Sequence, residues 1–518
     1  MKLSAITVVL VCIFLLSAAH STLAQDNNGN SIDYYINHAP FKMPMVTEPN
    51  FNDKTFSITD YGAIGNGQTL NTAAFEKAIS ACNAAGGGTV LIPPGLWLTG
   101  PITLQSNVNL HASRGALIVF TTDHSQYIGD DGRMRLPLSG NKLENVGITG
   151  EGIYDGGGDT WRPLKKSKAA PALWADLVKA GGTVSTDGSM YMPSKDKSRP
   201  TMVSVQNSTN VLIDGPTFKN SPQFALNPRN CTNMIIRNVT INNEYYAQNG
   251  DGIDLSSCVN TVIYRCTVNA GDDGICMKSS GGRSDSSASL RNIIIADCIV
   301  YHAHGGFVIG SNTDADMQNV YVTNCNFVNT DVGIRVKSSR GRGGLVHDIF
   351  IDHIYMRDIL NEAILFNTYY EDDAKPNTSN PVAVNNKTPR FQDFHISNIY
   401  CNNAKAAIAI TGLPEMPVNH IYLSDITISA DKGFSAVDAA GIYLKNVNIF
   451  SPAPVLAILS NASDITFEHV GFNKSISTFI VADGDRTKNI IVKNTSLTGM
   501  KDPIKLDKKL NKNTVTIQ

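Results

Sequence analysis

Four short polar islands interrupt a stretch of this chain that is otherwise built of aliphatic residues and asparagine. They read Asn249-Gly250-Asp251-Gly252-Ile253-Asp254, Gly271-Asp272-Asp273-Gly274, His304-Gly305-Gly306 and Arg335-Val336-Lys337. Carboxyl groups gathered in one place raise one another's pKa, so one stays protonated near neutral pH while others carry charge. An acid and one or two bases are what hydrolysis of a glycosidic bond needs. A histidine beside such a cluster can hydrogen-bond a carboxylate and tune its protonation. Arg335 and Lys337 stand two apart, so on a strand they share a face and make a ready site for a substrate carboxylate, which arginine grips with two donors. Asp254 reads either as a turn ligand or as a support for the other acids.

These residues meet only if the islands stack, and the surrounding sequence supplies the means. A phrase of Asn or Asp followed by alternating aliphatics recurs at Asn210-Val211-Leu212-Ile213, Asn233-Met234-Ile235-Ile236, Asn292-Ile293-Ile294-Ile295, Asn319-Val320-Tyr321-Val322 and Asp348-Ile349-Phe350-Ile351. Starts at 210, 233, 260, 292, 319 and 348 are 23, 27, 32, 27 and 29 residues apart, the length of one turn of a parallel β-helix. The unit is shorter than a propeller blade, and hairpin turn signals are scarce, which argues against a sandwich or propeller. Stacked turns would place Asp251 and Asp272, 21 positions apart, on adjacent rungs. Neighbouring side chains on an ideal strand point to opposite faces, so Gly271 and Gly274 are expected to bend the backbone and present both Asp272 and Asp273 outward. Gly305 and Gly306 are expected to admit a ligand close to His304.

The chain has 518 residues and a formal net charge of -2, so no whole-chain field points to nucleic acid. Residues 1–24 have the basic start, apolar run and small-residue end of a cleavable export signal, and no later stretch is long and apolar enough for a membrane span. Residues 25–54 read as a polar linker or arm, and 55–518 as a single all-β solenoid domain. A helix beginning near Asn71 and running toward Gly86 would plug its N-terminal end. Eight cysteines remain beyond the signal, most falling once per repeat, and are read as buried free thiols rather than disulfides. Without Cys-x-x-Cys pairs they do not suggest a metal site. An insertion at 159–200, holding Trp161, Arg162, Lys165, Lys166, Lys168, Trp174, Lys195, Lys197 and Arg199, reads as a long functional loop or a solvated one.

In order and content the islands resemble the motifs of the polygalacturonases, glycoside hydrolase family 28: Asn249-Gly250-Asp251 for Asn-Thr-Asp, Asp272-Asp273 for Asp-Asp, Ala303-His304-Gly305 for Gly-His-Gly, and Arg335-Val336-Lys337 for Arg-Ile-Lys. The three departures remove no titrating group. This resemblance implies a right-handed parallel β-helix in which Asp272 protonates the leaving oxygen while Asp251 and Asp273 activate the attacking water. It implies inversion at the anomeric centre, with carboxyls about 6.5–9.5 Å apart. His304 would sustain the protonation of the acid. Arg335 and Lys337, with Asn249 and a tyrosine, Tyr370 or Tyr369, would bind an acidic pectic polysaccharide or oligogalacturonide. It calls for no cofactor and no metal, and the protein is expected to act as a monomer. A β-helical lyase, with Ca²⁺ held by Asp251, Asp254, Asp272 and Asp273, is the chemical rival; a non-catalytic carbohydrate-binding solenoid is the other. Because the insertion precedes the acids along the solenoid, it would close one end of the cleft and favour attack on chain ends.

Overall fold

In the computed structural model, which describes residues 31–518 apart from 194–197, 282–287, 373–375 and 377–379, corresponding residues of successive turns stack in register. One column runs Val211, Met234, Thr261, Ile293, Val320, Ile349, Phe394, Ile421, Ile442, Ile465, Ile490. All but Thr261 are apolar, and all are buried. This is a right-handed parallel β-helix whose interior is filled by the inward half of each alternating phrase. Thr261 interrupts the apolar column with a buried hydroxyl that has no hydrogen-bond partner among the described residues.

The Asn residues that open each phrase form a ladder of their own. Side-chain amides link Asn107, Asn145, Asn210, Asn233, Asn260, Asn292 and Asn319, each donating to the one before at 2.9–3.4 Å. Every one has a positive φ, between 52° and 61°. Asparagine tolerates this left-handed conformation better than other side chains. The bend and the ladder therefore select the same residue, once per turn.

The residues fall into two units that divide at Met45 and Val46. In the first, helix α1 (Ile32–Asn37) is capped by the Ser31 hydroxyl, which accepts the Tyr34 N–H at 3.3 Å. Residues 25–54 are thus not uniformly irregular. Six residues are too few to show a helical stripe, although Ser31 followed by Asp33 is the start signal. The expected signal, 1–24, lies outside the described residues, among which no helix is long and apolar enough to cross a membrane.

Helix α2 (Thr72–Ala84) buries Phe75, Ala78, Ile79 and Cys82 against the first strands and caps the apolar end of the solenoid. Its Thr72 hydroxyl accepts the Gly100 N–H at 2.7 Å. The eight cysteines among the described residues are free and buried. Several donate to carbonyls along the turns, as Cys231 does to Val205 and Cys298 to Ala296, both at 3.2 Å.

Replacing Asn260 separates the two roles of the ladder. Asn260→Ala loses both ladder bonds and the side-chain amide that makes positive φ tolerable, together roughly 2–3 kcal/mol. Asn260→Gly loses only the bonds, about 1 kcal/mol. Denaturant unfolding of the two variants against the parent should give that order; equal losses would sink the backbone explanation.

Candidate active site

Four short strands floor the site: β1 (Ile253–Ser256), β2 (Asp273–Ser279), β3 (Gly305–Thr313) and β4 (Ile334–Lys337). Ile253, Ile275, Phe307 and Ile334 stack in register and point into the core, so the residues between them face outward. Asp273 opens β2 and pairs with Gly305. Asp272 sits in the bend before β2 and His304 in the bend before β3. The His304 N–H donates to the Asp272 carbonyl at 2.7 Å, so the imidazole lies one rung beyond the acid, its Nδ1 2.9 Å from Asp272 Oδ1.

The glycines act differently from the expectation. Neither Gly271 nor Gly274 has a positive φ; both acids reach the cleft because one is in the bend and the other begins the strand. A Cβ at Gly271 would lie 2.4 Å from the Ala247 carbonyl oxygen, and one at Gly306 would lie 2.3 Å from the Phe327 ring. Gly306 therefore makes room for the protein's own core rather than for a ligand.

Arg335 and Lys337 share a face, as their spacing requires, and both reach Asp273: Arg335 Nη1 to Oδ1 at 3.2 Å and Lys337 Nζ to Oδ2 at 2.7 Å. The Tyr370 ring lies 4.7 Å from Lys337 Nζ and 5.6 Å from Arg335 Cζ. Tyr369 instead packs against Arg340, so of the two tyrosines Tyr370 is the one beside Arg335 and Lys337. The sequence reading missed Lys278. Its Nζ is 3.1 Å from Asp251 Oδ2 and hydrogen-bonds Asp254 Oδ2, which makes Asp254 a support rather than a turn ligand. A signal for it existed, since Lys278 pairs with Ser256 and so shares the outward parity of Asp254.

The insertion reaches the same place. Arg199 Nη2 donates to Asn249 Oδ1 at 2.8 Å, and Lys168 Nζ is 3.1 Å from His304 Nε2. Arg162 is buried, paired with Glu244 at 2.7 Å. Trp161 stacks on His124, outside the insertion, and so ties it to an earlier turn, whereas Trp174 meets Tyr191 edge-on and packs the insertion itself. Helix α3 (Pro171–Ala180) covers a cavity of ≈ 440 Å³ beside that ion pair. Lys195 and Lys197 lie outside the described residues.

Charge is crowded here. One oxygen from each of Asp251, Asp272 and Asp273 lies within 4.8 Å of the others, a tighter cluster than the about 6.5–9.5 Å expected of an inverting pair. Each carboxylate is already engaged by a basic side chain: Asp273 by Arg335 and Lys337, Asp272 by His304, Asp251 and Asp254 by Lys278. A Ca²⁺ site, which draws on carboxylates free to turn toward the ion, fits this arrangement poorly. Burial pushes the carboxyls of Asp251 and Asp254 up against the pull of Lys278, Asp251 the further. Burial also presses on Asp272, but the hydrogen bond and charge of His304, with help from Lys337 and Lys278, outweigh it and hold that carboxyl at about 2. Asp251 Oδ1, Asp254 Oδ1 and Arg335 Nε are buried without partners among the described residues, as expected where water or a polar ligand completes a site.

The sequence pattern of glycosyl hydrolases family 28 matches residues 174–440, and that of rhamnogalacturonase A/epimerase, pectate lyase-like, matches residues 55–122. A probable polygalacturonase of Vitis vinifera is 28% identical over 392 residues, which cover 72% of this chain and 74% of the relative. An exo-poly-alpha-D-galacturonosidase of Dickeya chrysanthemi is 26% identical over 430 residues, covering 76% and 70%. Among solved structures, a hyperthermoactive exopolygalacturonase from Thermotoga maritima superimposes with a TM-score of 0.65 at 26% identity, over 85% of this chain and 95% of that one.

The raised carboxyl of Asp251 has a consequence for stability. A carboxyl whose folded pKa lies above its unfolded value adds stability below the unfolded pKa and loses it as pH rises through the folded one. Asp251 thus weighs against the folded state near pH 7 and much less near pH 4, close to its unfolded pKa of about 3.9. Asp251→Asn should raise the melting temperature more at the higher pH. A shift independent of pH would remove Asp251 as the strained group.

Proposed function

The chain belongs to glycosyl hydrolases family 28, whose pattern spans more than half of it, and we propose that it hydrolyses α-1,4-galacturonosyl linkages of pectin. The observation that carries this reading is the asymmetry of the three clustered acids: Asp272 alone is held by an imidazole, while Asp251 and Asp273 are held by fixed cations. The imidazole-held carboxyl is the one whose protonation a small change can alter; the cations beside the other two favour their charged, basic forms, in the case of Asp251 against its burial.

In the proposed reaction Asp272 gives its proton to the leaving glycosidic oxygen, and Asp251 and Asp273 take the proton of the water that attacks the anomeric carbon from the opposite face. Charge balance favours this once substrate is present. A uronate carboxylate resting on Arg335, Lys337 and the edge of Tyr370 offsets the cations that press Asp272 toward ionisation, and exclusion of water raises its pKa further. Asn249, oriented by Arg199, borders the same cleft and offers its amide to sugar hydroxyls. Product of inverted configuration is expected, because in this reaction water and not a carboxylate attacks the anomeric carbon, on the face opposite the leaving oxygen.

Attack from chain ends is the mode we favour. The insertion is anchored by the buried Arg162–Glu244 pair and sends Lys168 and Arg199 to His304 and Asn249, so it lies against the turns that carry the acids and, on this reading, walls the cleft there. Two of the relatives described above carry exo-acting names. Export through the signal at 1–24 and action as a monomer complete the proposal.

Asp272→Asn, which keeps shape and removes the transferable proton, should lower kcat on polygalacturonate by roughly 10²–10⁴-fold with the melting temperature little changed. Near-parental turnover would overturn the donor assignment.

Mode and substrate are read together from digests of polygalacturonate, rhamnogalacturonan and xylogalacturonan, following viscosity, reducing ends and, by NMR, the anomer first formed. Slow loss of viscosity with early release of monomer or one short oligomer, as the inverted anomer, is expected from polygalacturonate. An early collapse of viscosity with a ladder of oligomers would refute exo-action, and an unsaturated product would refute hydrolysis.

A further inference from the structure

Lys168 belongs to the insertion, yet its ammonium is half-buried against the turns that carry the acids. It has three acceptors in reach: the carbonyls of Tyr245 and Gly271, both at 3.4 Å, and His304 Nε2 at 3.1 Å. The Tyr245 hydroxyl in turn donates to the Lys168 carbonyl at 2.8 Å, fixing the stem. An ammonium has three N–H donors and no acceptor. Nε2 facing it must therefore present a lone pair, which leaves the ring proton on Nδ1, directed at Asp272 Oδ1 2.9 Å away.

We propose that Lys168 is a positioning residue that holds His304 as the neutral, Nδ1-protonated tautomer, so that His304 supports Asp272 with a hydrogen bond and no charge. The inference rests on the reading of Asp272 as proton donor. The alternative places the shared proton on Nε2, giving an imidazolium beside a neutral amine. Ordinary affinities favour the lysine by about four pKa units, 10.4 against 6.5. Burial lowers Lys168, but Asp272 and Asp331 oppose that shift. An imidazolium would feel the same desolvation.

The other groups facing His304 pull in different directions. Asp331 Oδ2, at 3.7 Å from Nε2, favours an imidazolium but lies beyond hydrogen-bonding distance, and Lys168 is closer. Arg335 Nη1 approaches the His304 carbonyl at 3.4 Å and disfavours added positive charge. The chemical difference matters for the donor. An imidazolium holds the Asp272 carboxyl near 2, whereas a neutral imidazole withdraws that charge and lets the acid retain its proton at a working pH. The segment that walls the cleft thereby also sets the protonation of its acid.

The test is NMR of the full chain labelled with ¹⁵N-histidine, with His304 identified by the signals lost in His304→Gln. Between about pH 5 and 8, the range in which histidines titrate, His304 of the parent should show a protonated Nδ1 and an unprotonated Nε2 throughout. In Lys168→Met, Nε2 should take up a proton within that range. Activity should fall with it, by roughly tenfold or more in kcat with KM little changed, and the loss should deepen toward acid pH. Lys168→Arg, still a donor-only cation, should recover part of it. A parent His304 that titrates as an imidazolium in this range overturns the proposal, and that measurement needs no variant to fold. An unchanged His304 spectrum in Lys168→Met overturns it equally. The turnover of Asp272→Asn judges the donor assignment separately.

Discussion

Register is the constraint on which this structure depends. Each strand pairs with the one above and below through backbone hydrogen bonds, so a residue's neighbours across the rungs are fixed by counting along the turn. His304 meets Asp272 because the peptide N–H of one bonds the peptide carbonyl of the other, and Lys278 meets Asp254 because it is two places along from the residue paired with it. A slip of one residue would turn Asp254, Lys278, Arg335 and Lys337 into the core and bring Ile275 and Phe307 outside. The asparagine ladder opposes such a slip, since each amide finds its partner only when the bends are aligned.

Built on that frame, the site is a problem in charge. Four carboxyls lie under a cover of protein, and Lys278, Arg335 and Lys337 are the cations that make their burial tolerable. The compensation is uneven: Asp273 has two cations, while Asp251 and Asp254 share one. An incoming uronate brings a further negative charge to the cation-rich side, and the distribution that suits the free protein is not the one that suits the complex. Local instability of this kind is usual where a protein has to move a proton.

The solenoid and most of its site were legible in the sequence because both repeat. The aliphatic phrases set the period, the four islands set the functional face, and the alternation of Arg335 and Lys337 set their common direction. Residues without a period were harder to read. Lys278 closes a phrase, Gly-Ile-Cys-Met-Lys-Ser, that looks like any other strand, and only the register reveals its partners. Lys168 and Arg199 sit in an insertion whose path follows no repeat, so their basic character was visible and their contacts were not. Gly271 and Gly306 were credited with freedom of backbone or access for ligand, when close packing of the chain against itself is what requires them. The six-residue helix α1 was too short to display a stripe.

The eight free thiols add a property that concerns handling rather than catalysis. Because each is buried inside the coil, these thiols are shielded from oxidants in solution for as long as the protein stays folded. Opening removes that shield. A chain that unfolds in an oxidising medium exposes these sulfurs together, and mispaired cross-links then compete with refolding. Its working lifetime outside a reducing compartment is therefore set by how seldom it opens, a rate and not an equilibrium.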